Sequence, residues 1–385
     1  MIKRITLLLV LATGLLPAAK RPGAVFLMIW PGSRPTALGG AFSGIADDAS
    51  AAYYNPGGLG FQKDINLSLM HVNWLPELWP DMYYEYLAAS APFKDIGTFA
   101  FNGVYLTTGE TQVQDGSGNI IGSYTTFDLS MGVAYGRDLT PKIAVGGGLK
   151  FIYSFLVPEW VLDRLPELGL DQGGSALSWA VDAGVLYNPF KNLGLGLALQ
   201  NLGPPMSFYA NSDPDPLPLM LRAGVSYKPL SIMTKDTTKD RFEIVGIRLA
   251  GDFSKVLVGM FALDTPEDDT IPFSRELGHE IGDAWRSLGL EVSIYQEILS
   301  LRVGYFFDKT GARGGFFLED ETGSRNHVGL FPWLTGQEEG RLTKVGITFG
   351  GGIKYAGFQL DIGIDESIYD FPTKNRKFSL SYTFK

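Results

Sequence analysis

The closing run Phe378-Ser379-Leu380-Ser381-Tyr382-Thr383-Phe384 alternates strictly. Phe378, Leu380, Tyr382 and Phe384 share one face of a strand, while Ser379, Ser381 and Thr383 share the other. The same period of two recurs along the chain, in Phe127, Leu129, Met131, Val133, Tyr135, again in Leu219, Leu221, Ala223, Val225, Tyr227, and again in Leu301, Val303, Tyr305, Phe307. Many of these oily rows carry a Tyr or Phe near an end, where a membrane interface would hold an aromatic belt. The opposite faces carry ions of both signs: Asp128, Lys150, Asp182, Arg222, Arg248, Asp252, Glu291, Arg302, Lys344, Lys354, Asp361 and Asp365, interspersed with Gly and Ser. Burying that face between two sheets would strand many charges away from water, at high cost. A sheet closed into a ring, oily outside and polar inside, keeps the ions paired or wet and satisfies every backbone group within a bilayer. The expected fold is all-β, a transmembrane antiparallel β-barrel.

Counting alternating segments predicts strands near 65–72, 83–92, 96–106, 123–136, 142–153, 176–188, 193–200, 219–228, 243–254, 285–295, 298–307, 343–354, 356–364 and 376–384, about fourteen, an even number as bacterial barrels prefer. Connections after even-numbered strands are mostly short, such as Lys94-Asp95 and Tyr355. Those after odd-numbered strands are mostly long: Leu156 to Ser175, Asn201 to Pro218, Lys255 to Asp283 and Asp308 to Leu342. Short periplasmic turns alternating with long external loops give the same answer as the faces.

Ahead of the strands, Met1 to Ala19 has the layout of a secretory signal: Lys3 and Arg4, an apolar run from Ile5 to Leu16, then Ala18 and Ala19. The expected division is a signal peptide over 1–19, an N-terminal segment over 20–62 and a barrel over 63–385. Gly32 to Gly60 is rich in small residues and helix punctuation. Short helices are expected at Ala37 to Phe42 and Ala46 to Tyr54, with Asp47 and Asp48 at a helix N-terminus and Asn55-Pro56-Gly57-Gly58 as a stop. Helices of small residues pack tightly, so the segment is expected to fill the lumen as a helical hatch, with Gly40 where helix meets wall and Asn55 holding the exit to the first strand.

The chemistry is sparse. The chain has no Cys and three isolated histidines, His71, His279 and His327, which make neither a zinc site nor a triad. A net charge of −9, with no basic stripe, argues against nucleic acid. No catalytic residue, metal or cofactor is expected, and the protein is read as a non-enzyme.

Four stretches resemble one family. Arg34 through Leu59 carries an Arg, Gly39-Gly40-Ala41-Phe42, Asp47-Asp48-Ala49-Ser50 and Tyr54-Asn55-Pro56. Gln200-Asn201-Leu202-Gly203-Pro204, Leu217 through Pro229 and the closing aromatic strand follow. Together they resemble the PorV/PorQ group, whose fold is like that of the fatty-acid channel FadL, although Leu38 and Gly57 replace residues usual there. The resemblance implies an outer-membrane barrel with a hatch. It singles out Arg34, Gly39, Gly40, Asp47, Asp48, Asn55 and Pro56 in the hatch, and Asn201, Gly203 and Pro204 in a family loop. It implies a function as well, the binding of secreted cargo and type IX secretion machinery through external loops, with FadL-like passage of hydrophobic small molecules such as long-chain fatty acids as the alternative. Besides outer-membrane lipid, the expected partners are therefore secretion proteins or a hydrophobic ligand in the lumen.

Overall fold

The computed structural model describes residues 22–164, 173–209, 213–235, 241–258, 273–337, 340–369, 371 and 373–384. The expected signal segment 1–19 and the acidic run Asp264 to Asp269 lie outside them. Fourteen strands form the ring: β1 Ile65–Asn73, β2 Tyr83–Phe93, β3 Gly97–Gln114, β4 Ile120–Thr140, β5 Ile143–Phe155, β6 Ser175–Phe190, β7 Leu193–Leu202, β8 Met220–Lys235, β9 Arg241–Val256, β10 Trp285–Ile294, β11 Leu299–Asp308, β12 Ile347–Tyr355, β13 Phe358–Ile364 and β14 Arg376–Phe384. Each pairs antiparallel with its neighbours in sequence, and β14 returns to β1 with Leu380 opposite Leu69. No edge is left open, which is the condition for placing strands in lipid.

The alternation sorts as the sequence predicts. Leu69, Met131, Val133, Phe151, Leu197, Val225, Leu301, Leu360 and Leu380 point outward and are exposed, while Lys150, Asp182, Arg222, Asp252, Glu291, Arg302 and Asp361 are buried within the ring. Two rows of aromatic contacts encircle part of the outer face. Tyr83, Tyr105, Phe127 and Phe155 follow one another at the long-loop end, and Phe93, Phe99 and Tyr135 at the short-turn end. On β4 the two rows are separated by the span from Phe127 to Tyr135, about 26 Å along the strand, which suits the apolar layer of a bilayer.

Turns follow local chemistry. Between β12 and β13, Ala356 and Gly357 take φ of 50° and 86°, the left-handed pair that two-residue hairpins need. Between β3 and β4, the Asp115 side chain accepts from the backbone N–H of Ser117 and of Asn119, each at 2.9 Å. Both of these strands run further than expected, and this tight turn is why: the loop is absorbed into a projecting ribbon. One expected strand is divided. The run predicted over 343–354 breaks at Gly346, where an added Cβ would lie 2.1 Å from the Cα of Gly314. Arg341–Val345 leaves the ring there and pairs with Phe316–Glu319, which also pairs with Arg325–Val328. Lys344, expected on the lumen face, therefore lies in this small outer sheet and donates to the Tyr369 carbonyl.

The N-terminal residues fold differently from expectation. The helices are α1 Ser33–Ala37 and α2 Ala51–Tyr54, flanked by 3-10 turns at Val25–Met28 and Pro56–Phe61. They are shorter than predicted because Gly39, Gly40 and Ala46 take left-handed φ of 67°, 84° and 38°. Asn55 is extended and Pro56 follows it, which ends α2. Gly23 donates to Pro216 in a long loop, whereas Gly60 lies against Arg137 and Ala144 beside a short turn. The segment thus runs from the long-loop end to the short-turn end, and the main cluster of buried apolar residues joins its Phe26, Trp30, Phe42 and Tyr54 to inward Met70, Tyr84, Tyr86 and Phe306 of the ring.

The outward face carries a prediction. In a bilayer, Leu380→Arg is expected to cost about 2–4 kcal/mol, whereas Ser381→Arg, on the polar face beside Ser68, costs less. Denaturant unfolding in lipid vesicles measures both, and equal losses would mean that the faces are misassigned.

Candidate functional site

Arg34, on α1, is the hub of the residues that join segment to ring. Its guanidinium donates to both carboxylate oxygens of Glu291 on β10, at 2.9 and 3.1 Å, and to Asp47 at 2.6 Å. Glu291 accepts also from Arg302 (2.7 Å), which reaches Asp361 (2.6 Å), and Asp47 accepts also from Arg248 (2.8 Å). The result is an alternating ribbon of charge across the lumen: Asp361, Arg302, Glu291, Arg34, Asp47, Arg248. Asp47 and Asp48 were expected to cap a helix. Instead Asp47 is an ion-pair partner, and Asp48 accepts from the backbone N–H of Ser50 at 2.9 Å. Burial raises the cost of charge at Asp47, but Arg34 and Arg248 hold its carboxyl down to about 2. Burial pushes the Asp48 carboxyl up, and Asp47 adds to this against the pull of Arg34. For Arg34, burial opposes the charge and is outweighed by Asp47 and Glu291, so its pKa is raised. A polar cavity of about 190 Å³ borders this ribbon and is lined on its other side by serines and Thr383 of the wall.

Backbone contacts lock the rest. Asp252 of β9 accepts from the N–H of Phe42 (3.1 Å) and of Ser43 (2.9 Å). Asn55 accepts from Gly57 N–H at 3.0 Å and donates to the carbonyls of Ser43 (2.9 Å) and Val185 of β6 (3.0 Å). Lys377 donates to the Trp30 carbonyl at 2.8 Å and to Thr36 at 3.0 Å, with Asp365 at 3.3 Å. The wall meets the segment with glycine: an added Cβ on Gly196 would lie 2.0 Å from the Ser43 carbonyl oxygen, and one on Gly304 2.2 Å from the Gly39 nitrogen. Side chains at these positions would occupy the space of the segment's own backbone.

Asn55→Ala would leave the Ser43 and Val185 carbonyls and the Gly57 N–H without their partner, each worth about 1–3 kcal/mol when buried. We expect faster chymotryptic cleavage at Tyr53 and Tyr54 in the folded barrel. Unchanged cleavage would show that Asn55 does not hold the segment.

The singled-out residues do not form one site. Arg34, Asp47 and Asp48 meet in the charge ribbon. Gly39, not Gly40, meets the wall, with its added Cβ 2.6 Å from the Tyr305 carbonyl oxygen, whereas Gly40 packs on the Trp30 ring. Pro56 lies over Gly146 and Gly184. The family loop stands apart. Asn201, at a left-handed φ of 62°, accepts from Lys150 (2.8 Å), takes its own N–H to Asp182 (2.8 Å) and donates to the Pro218 carbonyl (2.9 Å), while Lys150 pairs with Asp182 at 2.7 Å. An added Cβ on Gly203 would lie 1.9 Å from the Trp179 carbonyl oxygen, and the Pro204 carbonyl accepts from Ser178 at 2.7 Å. This corner finishes β7 and is a structural brace.

Sequence reasoning missed the mouth. At the long-loop end, Phe26, Met28 and Ile29 of the segment form the floor of a cavity of about 770 Å³, walled by Trp74, Leu106, Val256 and Trp285. Its rim is ionic, and the cations there are already engaged: Lys255 with Glu280 at 2.5 Å and Arg313 with Asp308 at 2.8 Å, while the His279 imidazole lies 3.1 Å from Asp283. Arg313 also stands 4.8 Å over the Trp285 ring. The two tryptophans and their aliphatic neighbours come from four separate strands or loops, so no local pattern announces them.

No protein-family model and no curated protein matches the sequence. Solved structures similar to it are the toluene transporter TodX of Pseudomonas putida (12% identity over 91% of this chain and 96% of that one, TM-score 0.49), the toluene transporter TbuX of Ralstonia pickettii (11%, 92% and 98%, 0.46) and a FadL homologue of Pseudomonas aeruginosa (11%, 92% and 99%, 0.42).

Proposed function

We propose that the protein, exported by residues 1–19, is a non-enzymatic barrel of the bacterial outer membrane whose N-terminal segment is a hatch, and that it admits small hydrophobic molecules. The observation that carries this reading is the apolar cavity at the long-loop mouth, floored by the hatch itself. Its volume and its mixture of aromatic and aliphatic walls with a polar edge suit a small-molecule ligand. The paired rim favours a neutral hydrocarbon over a fatty acid, because a carboxylate entering there would find Lys255 and Arg313 already neutralised. The finer family reading, the PorV/PorQ group and its role in type IX secretion, gains no support from the comparisons.

The test is tryptophan fluorescence of the purified barrel, since Trp74 and Trp285 line the cavity. Saturable quenching by a neutral hydrocarbon, weaker by a long-chain fatty acid and lost in Val256→Asp, is the expected result. No saturable response to either, with secreted proteins captured by crosslinking in native membranes, would replace this reading with the carrier.

A further inference from the structure

One long loop folds back over the outside of the ring. Phe316 of its small sheet packs on outward Tyr305 of β11 at 5.6 Å, and Trp333 stacks on Phe316 at 4.3 Å, so the short helix Leu330–Leu334 is pinned beside the wall. Between helix and wall lies a groove of about 820 Å³, bounded by Ala223 and Val225 of β8, Phe253 of β9 and Leu288 of β10. Gly251 contributes no side chain and helps leave the groove open. Ala223 and Val225 stand three and five positions below Met220, where β8 begins, about 10–16 Å along the strand. That depth belongs to the same outward row that faces lipid elsewhere on the ring.

The helix is dressed for that medium. Phe331 and Leu334 are 70% and 65% exposed. Its backbone is largely closed upon itself: Trp333 N–H donates to Gly329 at 3.2 Å, Thr335 N–H to Phe331 at 3.0 Å, and Gln337 N–H to Pro332 at 3.0 Å, while Pro332 has no N–H to satisfy. The Thr335 hydroxyl also turns back to the Phe331 carbonyl. A helical turn is the form of backbone that lipid tolerates, because its polar groups are satisfied within the segment.

At the upper rim of the groove is Arg286, two residues from Leu288 toward the long-loop end. It lies over Phe307 at 5.6 Å and donates to the carbonyls of Ile281 (3.3 Å) and Gly282 (3.5 Å). Among the described residues no carboxylate pairs with it, in contrast to the rim of the mouth cavity. An unneutralised guanidinium at the headgroup end of an apolar groove is complementary to a phosphate whose acyl chain lies below.

We propose that this groove holds one phosphate-bearing lipid of the outer leaflet, its acyl chain between Leu330–Leu334 and the β8–β10 wall and its phosphate on Arg286. Such a lipid would fasten the loop to the wall without entering the lumen. The proposal rests on the bilayer placement but not on the transport reading.

Native mass spectrometry of the delipidated full chain, titrated with phosphatidylglycerol or with a diacylglycerol of the same chains, tests it. The intact protein is expected to retain one phosphatidylglycerol through collisional release of detergent. Arg286→Gln should lower that retention about tenfold, the loss of a hydrogen bond to charge, and leave diacylglycerol unchanged. Ala223→Trp, which fills the groove, should lose both lipids, and Phe331→Ser provides a second, milder variant in case Ala223→Trp fails to fold. Equal retention of both lipids, or retention unaffected by Arg286→Gln and by both groove variants, would overturn the site and leave only general belt lipid. Flotation of the same variants with liposomes reports bilayer insertion separately, so a soluble protein would be recognised as failure of the membrane reading rather than of the groove.

Discussion

Glu291→Leu should free the N-terminal segment from the ring. Glu291 is the carboxylate shared by Arg34 of the segment and Arg302 of the wall, and it is 6% exposed. Removing one partner from a buried ionic cluster leaves the others uncompensated and typically costs about 3–5 kcal/mol. Here the loss should fall toward the lower end, because Arg34 retains Asp47 and Arg302 retains Asp361. The expected result is rapid chymotryptic cleavage within Phe42 to Tyr54 in a barrel that still migrates as folded before boiling. The double variant Glu291→Leu/Arg302→Leu should not recover the loss, because it also strips buried Asp361 of its cation. If Glu291→Leu is cleaved no faster than the parent, the charge ribbon does not retain the segment.

Gly304→Val is expected to have a comparable effect by shape rather than charge. The added Cβ would lie 2.2 Å from the Gly39 nitrogen and 2.4 Å from the Leu38 carbonyl carbon, both backbone atoms of the segment, which cannot rotate away as a flexible side chain would. Overpacking of this kind typically costs about 1–3 kcal/mol and forces displacement. The control is Gly351→Val on neighbouring β12, whose added Cβ faces outward and meets nothing closer than the Ser300 carbonyl oxygen at 3.2 Å. In planar bilayers, Gly304→Val should conduct ions and Gly351→Val should remain as quiet as the parent. Equal behaviour of the two would mean that the inner glycines are not fitted to the segment.

These contacts mark the boundary of what the sequence discloses. Strand number, faces and loop parity were legible because each depends on residues one or two positions apart: the row ending in Phe384 reads the same in isolation and in the ring. The ion partners were not. Asp47 finds Arg248 across 201 positions and Arg34 finds Glu291 across 257, so the Asp pair looked like a helix cap and the lumen ions could be named but not matched. The choice of Gly40 over Gly39 as the wall contact failed for a related reason. Both glycines follow α1 at left-handed φ, and only the folded chain shows that Gly39 faces Tyr305 while Gly40 faces the Trp30 ring. The division at Gly346 was concealed because Arg341–Val345 and Ile347–Tyr355 continue one alternation while pairing with different sheets. The mouth cavity had no local signature at all, since its tryptophans belong to β10 and to the loop after β1.

Entry of a neutral hydrophobic molecule through that mouth is the central claim, and uptake by cells carrying the barrel tests it most directly. Cells expressing the intact chain should take up a radiolabelled neutral hydrocarbon faster than cells carrying an empty vector. Val256→Asp, which puts a charge into the cavity wall, should return the rate to the vector level while the heat-modifiable folded barrel remains abundant in the outer membrane. Uptake indistinguishable between intact chain, Val256→Asp and empty vector, with equal amounts of folded barrel, would contradict the account.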